Sequence, residues 1–370
     1  MKRSSALLAL LTISLFILPA MPIASAAIST IVLSEPTHRQ LDGKFVDDDL
    51  AASLMPTGRL GNLVFGAMPT KRSWQIDAEL IEEVTSMASG YSLINADHGS
   101  GQEIATLWLA RLLLVSDGDP ISALPYGNPS GYWIHRLAPH DANYFLSAGE
   151  IRLQSLLKRG VTQAANFSSN RYFSLSSAIV QSYESSLKDF QIVAPFLSSS
   201  ELDDLKLQSA LIFSPTMDKS RREFLSRNLT ATTYGLVHQI RVVPGRFTVT
   251  AAKQQLPITV INDFSNSAKV ALRVSALNGK VVVKKLPMLT LAPKSKTQFL
   301  VPIEVLTSGT SALAVDVLTP KGDLLGDSVL FPLTLSVISP VATWITTGAA
   351  ITLFVAALVQ SIRRIRRRNK

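Results

Sequence analysis

The chain has 370 residues, a formal net charge of +9 and no Cys, which removes disulfides, thiol nucleophiles, thiolate-held metals and a lipid-modified N-terminal Cys. Two basic residues sit in the N-terminal leader and six in the C-terminal tail, leaving 28 basic against 27 acidic residues between them. The basic balance therefore belongs to the two ends and gives no support for a nucleic-acid partner.

The first segment, residues 1–26, reads as an export signal. Lys2 and Arg3 precede the apolar stretch Ala6–Leu18, and Ala24-Ser25-Ala26 supplies small residues for cleavage. That apolar run is too short for a membrane span.

Residues 27–242 are predicted to form an exported α/β domain. DDDLAASLMPTG reads as a short helix with an Asp cap and a Gly stop. In WQIDAELIEEVTSMASG, Asp77 is the expected cap, Glu79, Glu82 and Glu83 favour the early turns, and Gly90 ends the helix. GQEIATLWLARLLLV is apolar nearly all round and is predicted to be a buried helix. PISALPY is predicted to be a short buried strand, and AGEIRLQSLLKRG a helix with Ile151, Leu153, Leu156 and Leu157 inward. Helices alternating with short apolar strands point to α/β layers.

Candidate chemistry in this region is sparse. Asp47-Asp48-Asp49 reads as helix capping, Asp97-His98 as a Gly-rich loop, and Asp117-Gly118-Asp119-Pro120 as a turn. His135 and His140 are five apart with Pro139 between, so they do not share a helix face as a zinc pair would. No GxSxG, HExxH or phosphate-cradling Gly loop is present. Glu103, Asp97 and Glu150 are acids a glycosidase would need in facing pairs, and spacing does not pair them. The reading is therefore no catalytic residue, no metal site and no cofactor. Tyr126, Asn128 and Trp133, with Tyr132, suit sugar stacking and hydrogen bonding, and equally suit a packed loop. The triplets starting at Asn166 and Asn228 match the glycosylation acceptor pattern.

From 243 to 340 the pattern alternates with a period of two and is rich in β-branched residues, as in KVALRVSAL and TQFLVPIEV. Seven strands are predicted, near 246–251, 256–262, 269–277, 280–291, 297–306, 312–320 and 327–337, which points to an immunoglobulin-like sandwich without a Cys pair. Asn278-Gly279 and Pro320–Asp323 mark tight turns, and Pro302 an edge strand or bulge.

Residues 341–362 carry no charge and are long enough for one transmembrane helix. Arg363, Arg364, Arg366, Arg367, Arg368 and Lys370 follow as a stop-transfer cluster, in a tail of residues 363–370. The expected topology is single-pass in the cell membrane, with the N-terminal region extracytoplasmic and the C-terminus cytoplasmic. The lipid bilayer is thus the first expected partner.

The order FVDDDLAASLMPTGRLGNL, SWQIDAELIEEVTSMASGY, WLARLLL and ISALPYGNP, followed by IRVVPGRFTVTAAKQQLPITVIND, LTPKGDLLG and the Arg-rich tail, resembles a family of envelope proteins of high-GC Gram-positive bacteria. The resemblance covers most of residues 33–340. It implies a single-pass protein with an exported α/β region and a β-sandwich, biochemically uncharacterised, often encoded near the lipid II flippase. Members are usually longer ahead of and within the α/β region, which sets against a complete catalytic domain here.

These readings lead to a membrane-anchored extracytoplasmic envelope protein, non-catalytic, that binds cell-wall glycan or a wall-assembly partner. The alternative is a carbohydrate-active hydrolase with its site at the strand ends near Tyr126–Asp141.

Overall fold

The computed structural model describes residues 28–167, 172–336 and 340–368, with no side chains described for 340–346 and 365–368. The predicted leader, 1–26, lies outside the described residues.

The N-terminal half is built on four parallel strands, β1 (Ser29–Leu33), β2 (Arg72–Ile76), β3 (Ile121–Ala123) and β4 (Thr162–Gln163), ordered β1-β2-β3-β4. Between β1 and β2 run α1 (Asp49–Leu54) and α2 (Arg59–Phe65). Between β2 and β3 run α3 (Ala78–Ser89) and α4 (Gln102–Val115), and between β3 and β4 run α5 (Gly131–Leu137) and α6 (Ala142–Leu157). Parallel neighbours need such crossovers, because a two-residue turn cannot return the chain to the same end of the sheet. Leu33, Ile76 and Ala123 are brought level by the pairings Leu33↔Ile76 and Ile76↔Ala123, so the strand ends form one edge. Gly149 of α6 lies against that edge, where an added Cβ would come within 2.0 Å of the Leu124 carbonyl oxygen.

Three further helices close the domain: α7 (Ser177–Val193), α8 (Ser199–Ser209) and α9 (Lys219–Val237). A 3-10 turn, Ala210–Phe213, lies between the last two, with all four residues buried. The core of this half runs from Leu33, Trp74 and Ile76 through Trp108, Phe145 and Tyr183 to Phe213.

The second half is a sandwich of two sheets. One sheet contains β5 (Ile240–Val242), β7 (Lys253–Asn262), β11 (Ser295–Val305) and β9 (Val281–Val283), in that order. The other contains β10 (Leu289–Leu291), β8 (Ala268–Ala276), β12 (Gly309–Leu318), β13 (Leu324–Leu335) and β6 (Phe247–Val249). Alternate residues such as Leu256, Ile258 and Val260, with Val301 beside them in the same sheet, face Leu313 and Phe331 of the other sheet in a core between the two. Phe196, just after α7, reaches this core with its ring centroid 5.4 Å from that of Phe264, the two rings tilted by 32°, while Asn266 Nδ2 donates to the Phe196 carbonyl at 3.0 Å. The α/β half thus abuts the end of the sandwich carrying residues 262–268.

An α/β region followed by a β-sandwich agrees with the predicted fold class, and several details differ. The predicted 280–291 strand is two short strands in different sheets. Asn278-Gly279 therefore turns the chain from one sheet to the other instead of closing a hairpin. Pro302 lies where the β9 pairing stops: Lys284 N donates to its carbonyl, so its donor-free nitrogen faces the end of the ladder. The α4 helix is buried only along Ala105, Trp108 and Leu112, and Leu107, Leu113 and Leu114 are exposed. Composition alone could not locate the solvent side of a helix without polar contrast. Ile151, predicted inward, is exposed, because the inward stripe of α6 runs through Phe145, Leu153 and Leu157.

Pro340–Arg368 forms a single helix, α10, across the predicted span 341–362. Among the described residues no helix is long and apolar enough to cross a membrane. The first side chains of the predicted span lie outside the described ones.

Candidate functional site

In open parallel sheets ligands bind beyond the carboxyl ends of the strands, so the chemistry of this protein is sought there. After β1 come Ser34, Glu35 and Thr37–Arg39. After β2 come Asp77 and the face of α3 bearing Glu79, Glu82 and Glu83. After β3 comes the turn Pro125–Asn128.

Asp77 caps α3, as its position before a helix predicts, accepting from the Glu79 amide at 3.1 Å. The same oxygen accepts from the Gly127 amide at 2.9 Å and so fixes the turn after β3. Glu83 performs the equivalent task on the segment after β1. Its carboxylate accepts from Thr37 Oγ1 at 2.5 Å, the His38 amide at 3.0 Å and the Arg39 amide at 2.9 Å. Glu82 accepts from the Tyr126 hydroxyl at 2.7 Å and lies 3.2 Å from Arg152 and 3.8 Å from Arg39. Asn128, in a left-handed conformation at φ 42°, donates from Nδ2 to Ser34 Oγ at 3.1 Å. One helix face and one turn thereby lock the ends of three strands.

Two groups in the cluster are not satisfied as anions. Asp77 Oδ2 and both Glu79 carboxylate oxygens are buried without a donor. Burial pushes the Asp77 carboxyl up to about 7; the Gly127 and Glu79 amides oppose the shift, and the Glu83 and Glu82 charges reinforce it. Glu79 is held well above the usual carboxylate range by burial, then by Glu83 and Asp77, against the counter-charge of Arg39. A proton on Glu79 turns two facing acceptors into a hydrogen bond to Glu83. The cluster therefore favours the neutral forms of Asp77 and Glu79, and burial also drives the Tyr126 phenol well above its ordinary value.

A lid of protein covers these groups. Asp77 and Glu79 are each 0% exposed, and Glu83 is 1%. The Leu211 side chain lies over Gly127, where an added Cβ would meet Leu211 Cδ2 at 2.1 Å. The Ser130 amide donates to the Phe213 carbonyl at 2.9 Å. Arg222, itself buried, holds the lid by donating to the carbonyls of Ile212, Ser214 and Met217 at 2.8–2.9 Å, with its guanidinium 4.3 Å from the Phe173 ring centroid. Farther out, Arg221 of α9 reaches Asp47 at 2.7 Å, and Asp47 holds His38 Nδ1 at 2.6 Å. Burial raises the Asp47 carboxyl, but His38 and Arg221 outweigh it and the net shift is downward. The His38 Nε2 faces Arg221 at 3.3 Å, so the imidazole joins elements together instead of facing an open site.

A family described as being of unknown function, DUF6049, matches residues 154–369, well over half of the chain. The chain belongs to the DUF6049 family. The matched stretch starts within α6, so the strand-end acids lie ahead of it. No curated protein matches the chain in sequence. Among solved structures, WR4, an MSP family member from C. elegans, is 12% identical with a TM-score of 0.21, over 26% of this chain and 97% of that one. Native alpha-2-macroglobulin from Escherichia coli, from domain MG7 to the C-terminus, is 15% identical with a TM-score of 0.21, over 26% of this chain and 16% of that one. The E. coli chaperone DraB is 19% identical at the same score of 0.21, over 26% and 54%. Likenesses this shallow carry no weight for function.

The residues singled out from the sequence are placed as follows. Tyr126 and Trp133 are buried at 1% and 6% exposure, their rings packed in the core; Asn128 sits between them in the turn. Trp133 Nε1 donates to the Phe173 carbonyl at 3.1 Å, and Tyr132 stands edge-on to it at 5.2 Å. His135 and His140 are exposed, as are Asp97, His98 and Glu103. Among the described residues no group of three or more His, Asp or Glu could hold a metal ion. The expected capping by Asp48 is not made: it stands at the N-cap of α1 without a side-chain cap bond and instead accepts from the Tyr91 hydroxyl and the Ser100 amide, while Asp47 accepts from the Asp49 amide at 3.2 Å. The groups that sequence reading missed are Glu79 and Glu83. Four residues apart on one helix face, they look like solvated acids of the early turns, and only the packing of α3 against α4, α6 and the segment after β1 buries them.

Proposed function

We propose that this protein is a membrane-anchored, extracytoplasmic envelope component that works by binding. Its α/β half is held outward on the sandwich, and its target is a cell-wall glycan or a wall-assembly partner. The observation that carries the non-catalytic reading is the complete burial of Asp77 and Glu79, which leaves the strand-end acids without access to a substrate. The exposed leucines of α4 support a binding role, since Leu107, Leu113 and Leu114 offer an apolar face outside the core. Anchoring is supported by α10, whose Leu353, Phe354, Val355, Leu358 and Val359 are exposed on a helix that runs on through Arg363 and Arg364. A bilayer would cover that apolar surface. Crosslinking of the full chain in cells tests the reading: it expects capture of wall glycan or an envelope-assembly protein, and capture of neither overturns it.

The hydrolase alternative draws on one observation, the neutral carboxyl of Glu79 in a dry cluster, the state a general acid needs. Incubation of the full chain with wall glycan separates the two. Release of new sugar ends by the native chain, lost in Glu79→Gln, would establish hydrolysis; no release by either sustains the binding reading.

A further inference from the structure

The sandwich has two distinct ends. At one, residues 262–268 carry the α/β half through Phe196 and Asn266. At the other, β6 ends, β7 begins, β8 passes to β9, β11 passes to β12, and β13 delivers the chain toward α10. Hydrogen bonds tie these segments into one surface: Ser336 N to the Val249 carbonyl at 2.8 Å, Val305 N to Ala252 at 2.8 Å, and Leu306 N to Lys280 at 2.8 Å. Gly309 pairs with Leu335 across the same end.

The side chains there are of two kinds. Leu277 and Leu306, at the turns after β8 and β11, are 61% and 59% exposed, although each stands beside a core that ends within a few residues. Around them stand Lys253, Lys280 and Lys284, and the carboxylate paired among them is Glu304, 4.0 Å from the Lys253 ammonium. Lys280 lies over Gly309 and Lys284 bonds through its amide to Pro302, so both belong to this end. Apolar tips ringed by ammonium groups match a bilayer interface, where leucine enters the acyl boundary and lysine meets phosphate. Three residues separate Ser336 from Pro340, a link that reaches at most about 14 Å.

We infer that this end of the sandwich docks onto the bilayer surface, with Leu277 and Leu306 inserted at the headgroup–acyl boundary and Lys253, Lys280 and Lys284 on anionic phospholipid headgroups. The inference rests on the anchored reading of α10 and adds a second contact, which holds the α/β half at a set distance from the membrane instead of letting it swing on a short tether. Each lysine contributes about a fivefold shift toward the docked state on an anionic surface.

The absence of Cys makes site-directed labelling clean. The full chain is reconstituted in vesicles of zwitterionic lipid alone or with added phosphatidylglycerol, carrying one environment-sensitive probe at Leu277→Cys, Leu306→Cys, Lys321→Cys or Leu353→Cys. Lys321 lies in the exposed turn between β12 and β13, at the end facing the α/β half. Expected in anionic vesicles is quenching of the 277 and 306 probes by lipid-borne quenchers and their protection from aqueous ones, while the 321 probe stays aqueous. Changing Lys253, Lys280 and Lys284 together to Gln should return the 277 and 306 probes toward water. A lipid-buried 353 probe with 277 and 306 as aqueous as 321 overturns the docking inference alone. An aqueous 353 probe overturns the anchored reading, and the docking inference with it.

Discussion

The Asp77 carboxylate accepts a hydrogen bond from the amide of Gly127, fifty residues farther along the chain, at 2.9 Å. This bond joins the end of β2 to the turn after β3, and Asp77 also caps α3 with the same oxygen. A residue that looks like a local helix cap is therefore a tertiary link, and its second oxygen is left buried without a donor.

That arrangement makes stability depend on pH. Asp77 has an ordinary value of 3.8 and is pushed up to about 7 in the folded chain. Between these values the folded chain holds a proton that the unfolded chain has released. The contribution of Asp77 is present below pH ~4 and is lost as pH rises toward ~7, at up to about 1.4 kcal/mol per unit. Asp77→Asn keeps an oxygen for both amides and removes the titration. Denaturant unfolding of the two proteins at stepped pH should show the native chain losing stability relative to the variant across that window. A constant difference between them would refute the assignment.

The lid is sensitive at Gly127. Its φ of +70° disfavours a side chain, and a Cβ would strike Leu211 Cδ2 at 2.1 Å. Gly127→Ala is expected to cost about 2–3 kcal/mol, of which Leu211→Ala in the same chain should recover the steric part and leave about 1 kcal/mol of backbone strain. A double-mutant cycle with purely additive effects would mean that Leu211 does not pack on the turn.

Arg222 is the fastener of that lid, with bonds to three carbonyls. Arg222→Met leaves those oxygens buried without donors and should lower stability by about 3 kcal/mol or more. Arg222→Lys should recover only part of the loss, because an ammonium lacks the planar fork and its stacking on Phe173. Thermal unfolding midpoints of the native chain and the two variants order the effect, and equal midpoints for the native chain and Arg222→Met would exclude it.

The exposed side of α4 should be silent in stability. Leu107→Gln and Leu114→Gln remove apolar surface that already faces water, so unfolding free energies should stay within about 0.5 kcal/mol of the native chain. A loss of several kcal/mol in either variant would place that face in a core. Loss of partner crosslinks with unchanged stability would make it the binding surface.

Much of the architecture is legible without coordinates. Alternation of β-branched residues announces the sandwich, and KVALRVSAL and TQFLVPIEV coincide closely with β8 and β11. Asp77 and Gly90 bracket α3 where capping chemistry places them. The helices α7 and α9 give a weaker signal, since serine, threonine and charged residues interrupt their apolar stripes. Strand β4 is two residues long and has no pattern to read.

The amino-acid sequence by itself determined the order of the described parts: an α/β half, a β-sandwich and a C-terminal apolar segment followed by arginines. Local spacing and hydrophobic period suffice for that, because each element must bury one face and cap its own ends. Which acids lose contact with water was decided only in three dimensions. Glu79 and Glu83 become a buried pair because the segment after β1, about 45 residues upstream, folds onto α3 and donates to Glu83 from Thr37, His38 and Arg39. Burial of a charge depends on what covers it, and the cover comes from a distant part of the chain. The tertiary structure likewise decided that Tyr126 and Trp133 turn inward, and that the free leucines lie on α4 and at the far end of the sandwich.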